Sequence, residues 1–289
     1  MNIVIVGPTS LLADSFMIMA KREKHKIIQL GRKENLKVKN CDYYSSELND
    51  LNELISCVNV IYEKHETIDV VINFIGTHHK PMDFEKDKAD ELYTTFKHVM
   101  DINVNIAFML TMIFSKKMIS ARHGHMLHLC SNASRLSLYG SYAYNASKHA
   151  LEGLIKTAAA QLVPFKVRVN GIAPGTVISD LNRKMVIVDS KLTNRALSIL
   201  AHTPSKQFCT LEGVSETILA AFHAEISEEQ MLICSDISLE LQTKLLEERL
   251  KARDELDVKI AKTLNINTGN NNHIMRIGFV IGNLNAIIN

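Results

Sequence analysis

His125-Met126-Leu127-His128-Leu129-Cys130-Ser131-Asn132-Ala133-Ser134, with Ser141-Tyr142-Ala143-Tyr144-Asn145-Ala146-Ser147-Lys148 close behind it, is the stretch that decides the fold. Its first six residues read as a short buried strand that delivers Ser131 to the strand's carboxyl end. From Asn145 to about Phe165 the pattern is helical, with Ala150, Leu151, Leu154 and Ile155 forming an apolar stripe. Strand, turn and long helix make up the repeating unit of an open α/β sheet, in which ligands bind beyond the carboxyl ends of the strands. Ser131 stands at that edge.

The same alternation runs through the chain. Strands are predicted at 3–6, 26–30, 69–74, 125–130 and 167–173, and helices at 11–21, 46–65, 88–122 and 145–162. The 88–122 stretch is expected to be two helices, or one bent near Asn103. Strands separated by helical patterns predict a doubly wound parallel sheet with helices on both faces. After Asp236 the character changes to a strongly helical 239–262, with Glu247→Lys251 and Glu255→Lys259 as favourable pairs, and then an asparagine-rich end. The expected division is therefore a main domain over 1–238 and a C-terminal helical extension over 239–289.

Tyr144 and Lys148 lie four apart and so share a helical face. There an ammonium favours the ionised phenol, which can exchange a proton with a substrate oxygen. Bringing a phenol from near 10 to near neutrality requires roughly 4 kcal/mol. The spacing alone decides little, because Tyr93 and Lys97 repeat it with Lys80 at the upstream position that Ser131 holds for Tyr144.

The set resembles the short-chain dehydrogenase/reductase family, whose serine, tyrosine and lysine occur in this order and spacing; the resemblance covers roughly 1–240. It implies a Rossmann-like fold and an oxidoreductase that transfers hydride between NADP(H) and a carbonyl or secondary alcohol. Tyr144 then exchanges the proton, Lys148 holds the nicotinamide ribose and Ser131 binds the reacting oxygen. Asn103, in Ile102-Asn103-Val104-Asn105, matches the fourth catalytic residue, its carboxamide binding a water that links Lys148 to solvent.

The cofactor positions implied by the resemblance begin at Val6-Gly7-Pro8-Thr9-Ser10-Leu11-Leu12-Ala13. The family's Thr-Gly-x-x-x-Gly-x-Gly keeps only Gly7 here, with Leu11 and Ala13 in place of the other glycines. Thr9 and Ser10 offer hydroxyls, and Leu12 belongs to the same turn. Arg32, in Gly31-Arg32-Lys33, suits a 2′-phosphate, which favours NADP(H) over NAD(H). Asp42, read as following the third strand, matches an adenine-binding aspartate. Asn73-Phe74-Ile75-Gly76 resembles Asn-Asn-Ala-Gly, so Asn73 and Gly76 are expected at the adenosine pocket. Pro174-Gly175-Thr176-Val177-Ile178-Ser179 resembles Pro-Gly-x-x-x-Thr, with the Val177 backbone meeting the carboxamide and Ser179 replacing the threonine. The 180–207 segment is expected to form a specificity lid with partly apolar contacts from Met185, Ile187, Leu192, Leu197 and Leu200.

Two other readings stay open at this point. The lost glycines fit a non-catalytic nucleotide sensor or scaffold. Gly7, Ser10 and Ala13 also match the Gly-x-x-Gly-x-x-Gly spacing of extended relatives, the nucleotide-sugar epimerases and dehydratases.

Composition narrows the partners. A formal charge of +2 with no basic stripe argues against a nucleic-acid groove. Five scattered cysteines without a Cys-x-x-Cys pair suit a reduced, cytoplasmic protein. No signal peptide and no membrane-length stretch is expected. His125 and His128 fall on opposite strand faces, so no metal site is expected from them. By resemblance, a homodimer or homotetramer is expected through helices near 104–118 and 147–162, with Phe108, Met109, Met112 and Ile113 on an apolar exposed face.

Overall fold

Ile3, Val4, Ile5 and Val6 are all fully buried, so the first strand, β1 (Asn2–Val6), is covered on both faces. A β-branched run suits such a central parallel strand. The computed structural model describes residues 1–35, 37–134, 140–179, 182–203, 205–223 and 231–232. After β1 come α1 (Leu11–Arg22), β2 (Lys26–Gly31), β3 (Asp42–Ser45), α2 (Leu51–His65), β4 (Val70–Asn73) and α3 (Ala89–Met100). They are followed by α4 (Ile106–Ala121), β5 (Gly124–Leu129), α5 (Tyr142–Leu162) and β6 (Val167–Ile172). Last are α6 (Arg183–Val186), the hairpin of β7 (Ile187–Val188) and β8 (Lys191–Leu192), α7 (Asn194–His202), α8 (Leu211–His223) and β9 (Met231–Leu232).

Among the described residues the main sheet has seven strands in the order β3-β2-β1-β4-β5-β6-β9. Every pairing in it is parallel. The order reverses between β1 and β4, and at such a switch point a crevice opens beyond the carboxyl ends of the strands. The doubly wound, Rossmann-like sheet is as expected.

Alternate strand residues feed two cores. Val4, Val6, Ile28 and Leu30 pack with Leu54, Phe114, Leu151 and Ile155 of α2, α4 and α5. Ile3, Ile5, Ile27 and Ile72 pack with Phe16 and Met17 of α1 and Ile218 and Phe222 of α8. Ala13, Phe16, Met17 and Ala20 are the buried stripe of α1, at the three-and-four spacing of an amphipathic helix.

Several sequence expectations are revised. The second helix starts at Leu51 rather than 46, because Asp50 takes the cap position and accepts the Glu53 N–H at 2.9 Å. The 88–122 stretch is one helical run, Ala89–Ala121, of 33 residues, with a π turn at Asp101–Asn105 joining α3 to α4. The irregularity falls at Asn103, where a bend is predicted. By length and composition this run is apolar enough to cross a membrane, contrary to expectation, yet half of its most apolar window is buried in the fold. Ile106, Leu110, Phe114 and Met118 account for that burial in the core. Ile113 is buried as well, whereas Phe108 stands 55% exposed. The chain divides into two units, 1–236 and 237–289. All described residues belong to the first, and the expected extension lies outside them.

Two histidines of β5 record how dry this sheet is. His128 sits between Asn73, at 3.3 Å, and Thr111, at 3.1 Å. Burial, helped by the Lys148 charge, pushes its pKa down to about 4. On the other face His125 meets Asn170 at 2.8 Å, and burial pushes it down to about 3. Both folded values lie below the ordinary 6.5, so the unfolded chain takes up protons first as the pH falls. Stability from these groups should be complete above about pH 6.5 and decline progressively toward about pH 4 for His128 and about pH 3 for His125. Urea midpoints measured across that window should show the slope, and His128→Asn should flatten it.

Candidate active site

Gly7 closes β1 at φ +77°, and a Cβ there would stand 2.6 Å from Ile75 Cδ1. Both the left-handed turn and the close approach of the β4 loop therefore call for glycine. Three residues on, Ser10 Oγ accepts the Ala13 N–H at 3.1 Å and caps α1. Ala13 is fully buried, so its methyl is absorbed by the core. With Ala13 satisfied, helix geometry leaves the N–H groups of Leu11 and Leu12 at the amino end of α1, where an anion can rest. Asn35 ties this turn to the loop after β2: its Nδ2 donates to the Pro8 carbonyl at 2.7 Å, and its N–H donates to Gln29 Oε1 at 2.9 Å. Arg32 stands exposed on that loop.

A cleft of about 640 Å³ runs along this edge of the sheet, a size suited to small-molecule or cofactor binding. Gly7, Thr9, Ser10, Leu11, Leu12, Arg32 and Gly76 line it, and so do Ser131, Tyr144 and Lys148. Pro174, Gly175, Val177 and Ser179 complete the set of expected residues found there.

The loops after β5 and β6 are fastened together: Cys130 N–H donates to the Ile172 carbonyl at 2.7 Å and Asn132 N–H to the Pro174 carbonyl at 3.1 Å. This holds Ser131 beside the Pro174-Gly175 turn. Ser131 Oγ accepts the Ala133 N–H at 3.1 Å. Lys148 emerges on the same buried stripe of α5 as Leu151 and Ile155. Its Nζ donates to the Leu129 carbonyl at 2.8 Å and lies 5.7 Å from the centre of the Tyr144 ring. Tyr93, the decoy, is 69% exposed on α3 and outside the cleft.

Asn103 is buried, but its carboxamide is engaged by the protein rather than held out for water. Its Oδ1 accepts the Thr77 N–H at 2.7 Å, while Nδ2 donates to the Thr77 carbonyl at 3.0 Å and to Ser147 Oγ at 2.9 Å. Ser147 in turn donates to the Tyr144 carbonyl at 2.8 Å. Asn103 thus binds the β4 loop to α5 and acts on the tyrosine and lysine by position.

Two other expected sites are corrected. Asp42 begins β3 instead of following it, and it is turned to Lys64 at 2.8 Å and His65 at 3.4 Å, away from the cleft. The Lys64 hydrogen bond holds its carboxyl below the ordinary range. Glu47, Leu48 and Asn49, just after β3, line the cleft in its place. Asn73 lies beneath the cleft, accepting the Ile75 N–H at 2.9 Å and facing His128. The Val177 carbonyl is taken by Asn182 Nδ2 at 2.8 Å.

His78 and His79 are site features that the sequence shows only as a histidine pair. The His78 ring lies 4.3 Å from the Tyr144 ring, centre to centre, and lines the cleft. Burial first, and then the charges of His79, Arg195 and Lys148, hold it below the ordinary imidazole range, against a backbone hydrogen bond at His79 that raises it. His79 Nε2 accepts the Tyr144 N–H at 3.2 Å, so a side chain from the β4 loop satisfies an open donor at the start of α5. Their signal in the sequence is their position, second and third after Gly76 and just beyond the carboxyl end of a central strand.

A parallel, doubly wound sheet with a serine, a tyrosine and a lysine meeting at its carboxyl edge defines a nucleotide-binding α/β class. The short chain dehydrogenase family profile matches residues 10–187, and the chain belongs to that family. It is 32% identical over 158 residues to 2-dehydro-3-deoxy-D-gluconate 5-dehydrogenase of Bacillus subtilis (strain 168), covering 53% of this chain and 57% of that one. With (+)-borneol dehydrogenase 2 of Salvia officinalis the identity is 26% over 187 residues, covering 62% and 65%. The chain thus spans little more than half to about two thirds of the length of these relatives. Among solved structures, ElxO with NADP bound superposes with a TM-score of 0.71 at 19% identity, over 80% of this chain and 96% of that one.

Asn103→Ala removes the tie between the β4 loop and α5. It should lower stability by about 1–3 kcal/mol in urea unfolding, and Ser147→Ala, which breaks one of the same bonds, should cost less.

Proposed function

We propose that this chain is an NADP(H)-dependent oxidoreductase acting on a carbonyl or secondary alcohol. The carrying observation is the convergence of Ser131, Tyr144 and Lys148 on one cleft beyond β5. The dehydrogenase names of its relatives support the reaction class. The Gly7 turn, the capped start of α1 and the cationic Arg32 suit a phosphorylated dinucleotide.

The nicotinamide, when bound, supplies or takes the hydride. In reduction Tyr144 gives its phenolic proton to the substrate oxygen, and in oxidation it takes that proton back. Ser131 holds the same oxygen by its hydroxyl. Lys148, on the face of α5 that carries Tyr144, offers a donor to the ribose. Asn103, through Thr77 and Ser147, is a positioning residue for this group. Arg32 receives the 2′-phosphate, Glu47, Leu48 and Asn49 border the adenine, and the Val177 N–H meets the carboxamide. The scattered cysteines, with no Cys-x-x-Cys pair, suit a reducing compartment.

One observation favours a second reading, a nucleotide sensor without turnover: Leu11 lines the cleft where the family has glycine. NADP⁺ titration beside a turnover assay separates the two, since a sensor binds without oxidising NADPH with any ketone.

Tyr144→Phe should lower turnover by about 10²–10⁴-fold, the usual weight of a positioned proton donor, with NADP⁺ affinity by calorimetry little changed. Tyr93→Phe should keep its activity. Loss in both variants, or in neither, would remove Tyr144 from the chemistry.

Arg32→Asp should weaken NADP⁺ by about ten- to a hundred-fold, the weight of a charge-assisted hydrogen bond, and weaken NAD⁺ far less. Equal effects on the two cofactors in titration would make Arg32 an ordinary surface charge.

A further inference from the structure

The segment after Ser179 does not supply the largely apolar wall that its sequence suggests. Of Met185, Ile187, Leu192, Leu197 and Leu200, only Met185 lines the cleft, and Leu192 and Leu197 are exposed. Val186, Ile199 and the guanidinium-bearing Arg195 line it as well. Arg195 is half-buried in the first turn of α7. That turn is pinned by Thr193, whose Oγ1 donates to the Met185 carbonyl at 2.8 Å and accepts the Ala196 N–H at 3.2 Å. The Thr193 N–H also donates to the Val186 carbonyl at 3.0 Å. Arg195 is therefore presented from a fixed backbone.

Charge at this end of the cleft is one-sided. Among the described lining residues the one carboxylate is Glu47, which stands with Leu48 and Asn49 after β3. Lys148 and Arg195 line the cleft too, and among the described residues no carboxylate pairs with Arg195. The Arg195 charge reaches His78, whose ring lies against Tyr144 at 4.3 Å. A cation is thus fixed near the reaction centre but on a different element from the serine, tyrosine and lysine. A half-buried guanidinium with no carboxylate partner among the described residues is open to an anion. Its planar fork is shaped for two oxygens of a carboxylate or phosphate.

We propose that Arg195 binds an oxyanion carried by the substrate, so that the natural substrate is an acidic ketone or the corresponding hydroxy acid or phosphorylated alcohol. This rests on the oxidoreductase reading above, and it assigns Arg195 to specificity rather than to the proton or hydride step. Lys148 is held by the Leu129 carbonyl and faces Tyr144, which leaves Arg195 to take the anion.

The test uses the full chain with NADPH and matched probes: the isomeric oxohexanoates against their methyl esters, and dihydroxyacetone phosphate against dihydroxyacetone. At least one charged probe should exceed its neutral partner in kcat/KM by about ten- to a hundred-fold, the range of a charge-assisted hydrogen bond. Arg195→Gln should bring that ratio toward one, and Arg195→Lys should restore part of it. The pair that shows the preference tells carboxylate from phosphate. Neutral partners reduced equally well, or a ratio unchanged in Arg195→Gln, would overturn the proposal. So would a variant that weakens NADP⁺ binding while keeping the ratio, since Arg195 would then serve the cofactor's phosphates. If no ketone is reduced, the oxidoreductase reading fails, and titration of the same charged probes onto the NADP⁺-loaded protein still decides the point. Binding that is lost in Arg195→Gln supports the anion site; binding that is retained, or absent from both proteins, overturns it.

Discussion

The carboxamide of Asn103 is the joint on which this site depends. It grips both backbone groups of Thr77 and, through Ser147, the first turn of the helix that carries Tyr144 and Lys148. An asparagine can do this because its amide offers acceptor and donors from one planar group. The π turn at Asp101–Asn105 interrupts the regular helix at this residue. Such single-turn irregularities recur at functional sites. The interruption falls in the middle of a core helix, so the surrounding burial holds it in place.

Around that joint the cleft keeps its charge in a few fixed places. Burial lowers the pKa of His78 and of His128, and the lysine that enters the interior ends on a strand carbonyl. Removing charge from its surroundings makes each remaining charge count for more, since water no longer screens it. Lys148 stands beside the Tyr144 ring, and Arg195 lines the same cleft. His78 touches both influences, lying on the Tyr144 ring within the field of the two cations.

The glycine-poor turn shows how a family feature can be replaced in part. Gly7 stays because its φ is positive and Ile75 occupies the space that a side chain needs. Ala13 is tolerated because the core takes its methyl. Leu11 is half-buried and lines the cleft. Asn35 and Gln29 brace the turn from the β2 side, a role their distance in sequence conceals.

The sequence by itself determined the parallel sheet and the placing of Ser131, Tyr144 and Lys148, because both rest on local periodicity. A buried β-branched run such as Ile3-Val4-Ile5-Val6 leaves few alternatives, and residues four apart on a helix must share a face. Only the tertiary structure decided what those groups touch. Asp42 was misplaced by a strand boundary and proved to serve Lys64, and the Asn103 carboxamide, assigned to a water, is taken up by Thr77 and Ser147. The histidine against Tyr144 and the arginine of α7 come from 66 residues before the tyrosine and 51 after it. No spacing rule joins such distant residues, because their meeting depends on how separate elements pack.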